Sequence, residues 1–409
     1  MIDTIYSVGI DVSKGSSMVA ILRPDGKTVQ RPYQIKHDKE SLEQLSSRLI
    51  SLDGETRVIL EYTGRYHEPV VRKLQESGIF VCAVNPSFIK QYGNNTLRKA
   101  KTDKKDARKI ARYGLENWNE LLEYGGMDKI RQQLKMLNRQ FHLYSKTMVS
   151  LKNNLIALLD ISFPGINDFF DSPARKDGHQ KWVDFAGEYW HAECVSSLRE
   201  RVFLERYRKW CKKNGYFYQP DKAREIHKAS LQMVPVLPRD EDTRVLIQTA
   251  VSQLTTISTA VETYRMDMLR LAERLPEFPV VMSLYGVGPS LGPQIMAEIG
   301  DVRRFNKKSQ LTAFAGVDPG VNQSGSHEAK SMPVSKHGSP YLREALFNVM
   351  DCMIKTKPLN EPVYQFMDRK RSEGKEYYVY MTAGCNKFLK IYYGRVREYL
   401  ESLDQPETE

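Results

Sequence analysis

The sequence predicts an α/β domain at its amino-terminal side, followed by a chain that is mainly helical. Short apolar runs separated by turn signals fill residues 1–115, and two long apolar heptad seams follow at 130–158 and 247–275. The 409 residues suffice for two or three domains, and a hydrophobic content of 41% suffices to fill their cores. We therefore expect three parts, at 1–115, 116–278 and 279–400.

Five strands and two helices are predicted in the first part. Apolar runs with strand character lie at 6–12, 18–22, 28–35, 57–61 and 79–84. Leucines recur at helical spacing over 42–50, and a second helix over 70–74 ends at Gly78. The resulting order, β-β-β-α-β-α-β, is that of an RNase H-like core.

Four acidic residues lie where this core would bring them together. Asp11 ends the first strand and Glu61 ends the fourth, while Asp103 and Asp106 share one face at the start of a predicted helix. Four converging carboxylates repel one another without a cation, and Mg²⁺ prefers oxygen ligands. We therefore expect a site for Mg²⁺ or Mn²⁺. The alternative is that each acid is structural, with Asp103 as a helix N-cap.

The segment around the start of that helix is densely basic. Its candidate phosphate contacts are Arg98, Lys99, Lys101, Lys104 and Lys105. A charge run is more often a solvated face, but beside a metal site we favour contact with a nucleic-acid backbone. The net charge of +11 also favours a polyanionic partner.

The middle part contains two heptad helices and an insertion. The seams have the pattern of a coiled coil, and the sequence leaves open whether the helices pair within one chain or between chains. The segment 162–238 interleaves basic and aromatic residues, which fits either a base-stacking surface or a hydrophobic core. His179, His191, Cys194 and Cys211 lack paired-ligand spacing, which disfavours a zinc site.

The last part carries two features suited to phosphate. Gly286 and Gly288 form a Gly-x-Gly turn before a predicted helix over 291–299, as in a helix-hairpin-helix whose backbone N–H groups bind phosphate. The Gly-, Ser- and Asn-rich stretch 315–326 predicts a loop, in which Ser324 has an uncrowded backbone beside glycine. The alternative is a surface loop with incidental serines. Further helices are predicted at 341–353 and 382–400.

The cysteines and the hydropathy of the sequence predict the cellular compartment of the protein. Five cysteines are scattered without a CxxC pair, which favours a reducing cytoplasm over a disulfide framework. No apolar run approaches the roughly 18 residues of a membrane span. The first residues also lack the pattern of a signal peptide. We therefore expect a cytoplasmic protein without a membrane partner.

With these residues in place, the chain resembles the insertion-sequence one-ten family of transposases, relatives of the Piv DNA invertases. In the first part the resemblance rests on Gly9-Ile10-Asp11-Val12, Glu61-x-Thr63-Gly64, Asn85-Pro86 and Lys101-Thr102-Asp103-x-x-Asp106-Ala107. In the last part it rests on Gly286-Val287-Gly288, Phe314-Ala315-Gly316-Val317-x-Pro319, Ser324-Gly325, Ser335-Lys336-x-Gly338 and Leu342-Arg343. The chain departs from the family pattern at Tyr62 and Asp318, and no family residue maps onto 162–238.

The resemblance implies a bacterial or archaeal, nucleoid-associated recombinase that excises and inserts its own element. Asp11, Glu61, Asp103 and Asp106 would bind metal in a RuvC-like domain, and Ser324 would form a phosphoserine link to DNA. The partners would be double-stranded donor and target DNA and a structured guide RNA encoded by the element. Members act as homo-oligomers, dimers or tetramers, in which the acids of one protomer meet the serine of another.

Two roles and two alternatives complete this interpretation. Lys336 or Arg343 is expected to balance charge that develops on the phosphate. If Ser324 is not the nucleophile, the candidates are Ser326, Ser331 and Ser335. The main alternative is a RuvC-like nuclease that hydrolyses branched DNA with water and does not need the serine. The other is a non-catalytic nucleic-acid scaffold, in which removal of the four acids would change only local stability.

Overall fold

The computed structural model describes residues 4–61, 66–84, 86–92, 102–125, 128–318, 323–324, 327–328 and 334–404. Its internal contacts divide the chain into two compact units, Met1–Gly126 and Met127–Glu409. The predicted boundary at residue 278, inside the second unit, stays a prediction.

The strands and the first two helices of the first unit follow the predicted order. Its elements are β1 (Ile5–Ser13), β2 (Ser16–Leu22), β3 (Tyr33–Lys36), α1 (Lys39–Ile50), β4 (Glu55–Glu61), α2 (Glu68–Glu76), β5 (Phe80–Val84), α3 (Pro86–Gln91) and α4 (Asp103–Glu116). The third strand is shorter than predicted, because Pro32 has no N–H to donate to a strand ladder. Before it, Thr28 makes only an isolated bridge to Leu22.

The five strands form one mixed sheet in the order β3-β2-β1-β4-β5. β1 lies at the centre, antiparallel to β2 and parallel to β4, and β5 extends the parallel half. One face packs on α1 and α2 through Val8 and Ile10. The other face packs on α4, where Ile59 meets Ile110. The predicted α/β domain is therefore confirmed, with the strand order of an RNase H-like core.

In its described part, the second unit consists of helices and one short strand pair. The elements are α5 (Lys129–Ser162), α6 (Lys181–Glu188), α7 (Glu193–Ser196), α8 (Glu200–Asn214), α9 (Pro220–Ser230), α10 (Glu241–Ala272), α11 (Phe278–Met282), α12 (Leu291–Ile299), α13 (Lys308–Ala315), β6 (Gln323–Ser324), β7 (His327–Glu328), α14 (Pro340–Thr356), α15 (Pro362–Ser372) and α16 (Tyr377–Leu403). The sequence predicts α12, α14 and α16 with similar bounds and misses α15.

The two heptad helices, α5 and α10, pack on each other within the chain. They are antiparallel, because Leu134 near the start of α5 shares a core with Met268 near the end of α10. Near the middle of α5, the ring of Tyr144 stacks on the ring of Tyr264 from α10, with centroids 5.4 Å apart. Each helix begins at an aspartate N-cap, Asp128 or Asp240, that accepts a backbone N–H of the first turn. Whether the pair supercoils as a coiled coil stays a prediction.

The insertion between α5 and α10 folds around its aromatic residues. Its fully or almost fully buried rings are Trp182, Phe185, Tyr189, Phe203, Tyr207 and Trp210. The hydrophobic-core interpretation is therefore correct for these rings, and a base-stacking role for them is wrong. Among the described residues of the insertion, no three histidine, cysteine or acidic side chains lie close enough together to hold a metal ion. His191 Nε2 instead lies 3.0 Å from the carbonyl oxygen of Leu237.

The last helices share one core. Gly384 of α16 permits close packing, because a Cβ at this position would lie 2.7 Å from Met350 Sδ on α14. α11 and α12 flank the predicted Gly-x-Gly turn, but α11 has only five residues, so a helix-hairpin-helix stays a prediction. Among the described residues, no helix combines the length and the apolar character needed to cross a membrane.

Candidate functional site

Asp11 and Glu61 lie at the same level of two adjacent parallel strands. Ile10 of β1 pairs with Leu60 of β4, and each acid is the next residue along its strand. Paired residues of a parallel ladder point to the same face, and neighbouring strands are about 4.8 Å apart. Both acids are half-buried. The structure therefore brings together two of the four predicted acids.

α4 crosses β1 at very short range. A Cβ built on Gly9 would lie 2.1 Å from the carbonyl oxygen of Ala107 and 2.3 Å from the amide nitrogen of Ala111. Ser7 Oγ donates a 2.7 Å hydrogen bond to the carbonyl oxygen of Ala111. One turn later, Gly114 faces the Ser7 side chain with no room for a Cβ. Small residues on both elements are therefore what permits this contact.

The contact also determines where α4 begins relative to the strand. Between Ala107 and Gly114, α4 runs opposite in direction to β1. Its first turn, which carries Asp103 and Asp106, therefore lies towards the carboxyl end of β1, where Asp11 is. Asp11 also lies on the same sheet face as Gly9, two residues earlier, and α4 packs on that face. All four acids thus lie on one face, at one edge of the sheet.

The first turn of α4 is capped by Thr102, whose hydroxyl accepts the backbone N–H of Lys105 at 3.4 Å. The alternative that Asp103 is the N-cap is therefore wrong. Asp103 is exposed and Asp106 is half-buried, and both lie in the first turn, where the helix dipole favours a negative charge. Neither acid is needed as a cap, so both remain available as ligands.

The chemistry of these side chains suits a hard divalent cation. Carboxylate oxygens are the ligands that Mg²⁺ and Mn²⁺ prefer. Among the described residues, however, no three acidic, histidine or cysteine side chains lie close enough together to hold a metal ion. The four acids share a sheet edge without forming a closed ligand set, so the metal site stays a prediction.

The residues on either side of the loop that contains Ser324 are hydrogen-bonded to each other. The backbone N–H of Ser335 donates to the carbonyl oxygen of Asp318 at 3.1 Å, and its hydroxyl donates to Asp318 Oδ1 at 2.8 Å. Gly338 lies against the carbonyl oxygen of Phe314 with no room for a Cβ. The residues before and after the loop are therefore tied together at its base.

Ser324 itself is the last residue of β6 and pairs with His327 of β7 in an antiparallel ladder. Several predicted loop and motif positions lie outside the described residues: Tyr62, Thr63, Gly64, Asn85, Pro319, Gly325, Ser326 and Ser331. Among the alternative nucleophiles, Ser335 already uses its hydroxyl in the base of the loop.

The other predicted phosphate contacts fall into different surroundings. Lys336 is exposed, with a φ of 52°, a conformation that residues other than glycine adopt rarely. Arg343 Nη1 donates to the carbonyl oxygen of Ala315 at 3.0 Å, so part of its guanidinium group stabilises the end of α13. Gly286 has a φ of 78°, and a Cβ on Gly288 would meet open space. These observations do not test whether the four residues bind phosphate, so that role stays a prediction.

Two members of the predicted basic strip are described. Lys104 and Lys105 are exposed in the first turn of α4, beside Asp103 and Asp106. The remaining members, Arg98, Lys99 and Lys101, lie outside the described residues. The strip as a whole stays a prediction.

Sequence reasoning misses Glu298, an acid of α12 that is fully buried. Its Oε1 accepts from Asn138 Nδ2 at 2.9 Å, and its Oε2 accepts from Arg139 Nη2 at 3.0 Å and from Ser339 Oγ at 2.7 Å. Ser339 is also the N-cap of α14, because its Oγ accepts the N–H of Leu342. The partners lie 41 to 160 residues away in sequence, so no local pattern predicts this network.

Two segments of the chain match families of transposases. Residues 8–164 match the family of DEDD transposase domains of IS110 elements, described as "Transposase". Residues 279–365 match the family described as "Transposase IS116/IS110/IS902 family". The chain carries both domains of the IS110 transposase family. The resemblance expected for the insertion-sequence one-ten family is therefore confirmed.

Relatives of this IS110-type chain extend over most of its length. It is 22% identical to the "Insertion element IS110 uncharacterized 43.6 kDa protein" of Streptomyces coelicolor, over 90% of this chain and 88% of that protein. It is 26% identical to the pilin gene-inverting protein of Moraxella bovis, over 83% of this chain and 80% of that protein.

Among solved structures, the chain is similar to RuvC of Thermus thermophilus in complex with a Holliday junction substrate. That similarity has 15% sequence identity and a TM-score of 0.22, and it covers 28% of this chain and 96% of the RuvC chain.

Proposed function

We propose that this IS110-type chain cuts and rejoins double-stranded DNA at the ends and the target of its own element. The observation that carries the proposal is the edge of the first unit's sheet. There, Asp11 and Glu61 lie side by side just beyond the last pair of the parallel β1–β4 ladder, with the first turn of α4 on the same face. Both family domains support a transposase.

Asp11, Glu61, Asp103 and Asp106 would hold the divalent cation. When bound, this cation would lower the pKa of an attacking hydroxyl group or polarise the phosphate oxygens. The protein's own contribution would be the placement of the carboxylate oxygens that serve as metal ligands. Two of the acids follow the last pair of the parallel ladder, and two lie in a helix turn that the packing on Gly9 holds in position.

Ser324 would be the nucleophile, although a serine hydroxyl is weak at neutral pH. Its Oγ would form a bond to phosphorus while the bond from phosphorus to the leaving sugar oxygen breaks. The serine proton passes to a base, and the leaving oxygen takes up a proton. A later attack by a DNA hydroxyl group on the phosphoserine would restore the serine and rejoin the strand. Lys336 and Arg343 would supply positive charge near the phosphate.

RNA guidance and oligomerisation extend the proposal. The net charge of +11 and the exposed Lys104 and Lys105 support a polyanionic partner. We propose that a structured RNA encoded by the element selects the donor and target DNA. We also propose that the acids and the serine that act together belong to different protomers of a dimer or tetramer.

A covalent-trapping assay tests the proposed chemistry. Full-length protein with its co-purifying RNA and a labelled donor DNA is incubated with Mg²⁺, denatured and separated on a gel. We expect a slow band that requires Mg²⁺. Ser324→Ala and Asp11→Asn should each reduce this band by about 10⁴-fold or more, to below detection, as expected when a nucleophile or its activating group is removed. DNA binding by both variants should persist.

Ser402→Ala is a matched control, because this exposed hydroxyl lies near the end of α16 and donates only to its own helix. It should form the band as the wild type does. DNA cleavage without a covalent band, unchanged in Ser324→Ala, would instead establish a hydrolytic RuvC-like nuclease. No cleavage by any form, with DNA binding intact in all, would support the scaffold.

A further inference from the structure

Helix α8 (Glu200–Asn214) separates its aromatic and basic residues onto opposite faces. Phe203, Tyr207, Trp210 and Cys211 are buried in the core of the insertion. The opposite face is exposed, and its cations are Arg201, Arg206, Arg208, Lys209, Lys212 and Lys213. Six positive charges therefore lie on one side of a helix that is rigidly held from the other.

These charges are poorly neutralised by the protein. Glu205, the acid on the same face, pairs with Lys209 at 3.1 Å, and Glu200 in the first turn lies 3.8 Å from Arg224 of α9. Within the described part of the chain, none of the other five cations forms an ion pair with a carboxylate. This face therefore attracts an external polyanion.

The cations are arranged along the helix axis. At 3.6 residues per turn, Arg201, Arg208 and Lys212 lie within an arc of about 40°. At a rise of 1.5 Å per residue, they span about 17 Å. That length of duplex axis carries about ten phosphate charges, counting both strands. The three cations of this row therefore face about three times as many negative charges, so each of them can contact a phosphate.

The shape and composition of the face distinguish between nucleic acids. Its rings point inward, so it offers no aromatic platform of the kind that proteins use to stack single-stranded bases. A helix of about 10–12 Å diameter enters the major groove of B-form DNA, which is about 12 Å wide. The deep, narrow major groove of A-form RNA does not admit one.

We infer that the exposed face of α8 binds the phosphate backbone of B-form DNA, without reading its sequence. In sequence, the helix lies between the two family-matched segments, 8–164 and 279–365. It would hold DNA without taking part in the chemistry of strand exchange. The inference concerns binding only, so it does not depend on the covalent chemistry proposed above.

The salt dependence of DNA binding tests this inference. The triple variant Arg201→Gln, Arg208→Gln, Lys212→Gln is made in full-length protein that also carries Ser324→Ala, so that no cleavage intervenes. Binding of a short random-sequence DNA duplex is measured by fluorescence anisotropy between about 50 and 200 mM KCl. Each lost phosphate contact lowers the slope of log K against log salt by about 0.9, so we expect a decrease of about 2.7. The affinity lost across this salt range should then be about 40-fold smaller than in the parent.

A triple variant of α15, Arg369→Gln, Lys370→Gln, Arg371→Gln, removes the same formal charge from cations that are already paired with Asp368 and Glu373. Its slope should equal that of the parent. Lys212→Gln alone should lower the slope by about 0.9, and circular dichroism should show that all variants remain folded. An unchanged slope in the α8 variant, or an equal change in the α15 variant, would overturn the inference. A larger effect on an RNA duplex than on the DNA duplex would also overturn it.

Discussion

Gly9→Ala should uncouple the candidate acids while leaving most of the fold intact. Gly9 lies in the central strand, two residues before Asp11, where α4 packs closely on the sheet. An alanine methyl group there would lie 2.1 Å from the carbonyl oxygen of Ala107, whereas ordinary contact begins at 3.4 Å. Backbone atoms lie on both sides of the clash, so no side chain can rotate away from it.

The helix must therefore move by at least about 1.3 Å, the difference between these two distances. Overpacking of this kind costs typically about 1–3 kcal/mol of unfolding free energy. Asp103 and Asp106 move with the helix, while Asp11 and Glu61 stay on the sheet. Because a misplacement of about 1 Å at a reacting centre can cost about 100-fold in rate, cleavage should fall by at least that factor.

Denaturant unfolding gives the stability of the variant, and the trapping assay with Mg²⁺ gives its activity. Gly125→Ala is the matched control in the same unit, because a Cβ there meets no atom within 4 Å, and it should match the wild type in both measurements. A folded Gly9→Ala protein that cleaves within a few-fold of the wild type would refute the reasoning. The close contact between α4 and β1 would then not be what positions the acids.

Two further predictions concern buried groups of the second unit. Glu298→Gln should lower the unfolding free energy by about 2 kcal/mol, because the buried carboxylate accepts from Arg139 and hydrogen bonds to charged groups are worth about 1.5–3 kcal/mol. The control Glu398→Gln, at an exposed position, should change the unfolding free energy by less than about 0.5 kcal/mol. Equal effects of the two variants in denaturant titrations would contradict this prediction. Burial raises the pKa of the Cys385 thiol to about 12, so iodoacetamide at pH 8 should label the half-buried Cys352 in the native protein and Cys385 only after unfolding. Mass spectrometry after alkylation of the native protein shows which cysteine is labelled. Labelling of Cys352 and Cys385 at the same rate would contradict the burial of Cys385.

The strands and the acids at their ends could be predicted because their signals are local. Each apolar run has strand length, and Glu61 ends β4 as predicted, whereas β1 continues for two residues beyond Asp11. Parallel pairing of β1 with β4 then follows from the order of elements. The error at β3 arises from Pro32, since an apolar pattern continues through a proline that a ladder does not accept.

The position of α4 could be predicted only in part. A glycine inside a strand, such as Gly9, signals a close approach of another backbone, and Ala107, Ala111 and Gly114 recur on one helix face. Together these residues predict that a helix crosses β1 closely. They do not predict the direction of the crossing, which decides whether Asp103 lies near the carboxyl or the amino end of the strand. The local sequence pattern of α4 does not contain that direction.

The insertion shows how one sequence pattern can carry two opposite interpretations. Basic and aromatic residues that alternate along a segment suggest a mixed surface only if the segment is extended. On a helix with 3.6 residues per turn, Phe203, Tyr207 and Trp210 fall on one side, and Arg201 and Lys212 fall on the other. The aromatic residues then exclude water from the core, and the same packing presents the cations as a rigid row. A mixed pattern in sequence thus becomes segregation in space, and the helical period decides which residues remain available for a partner.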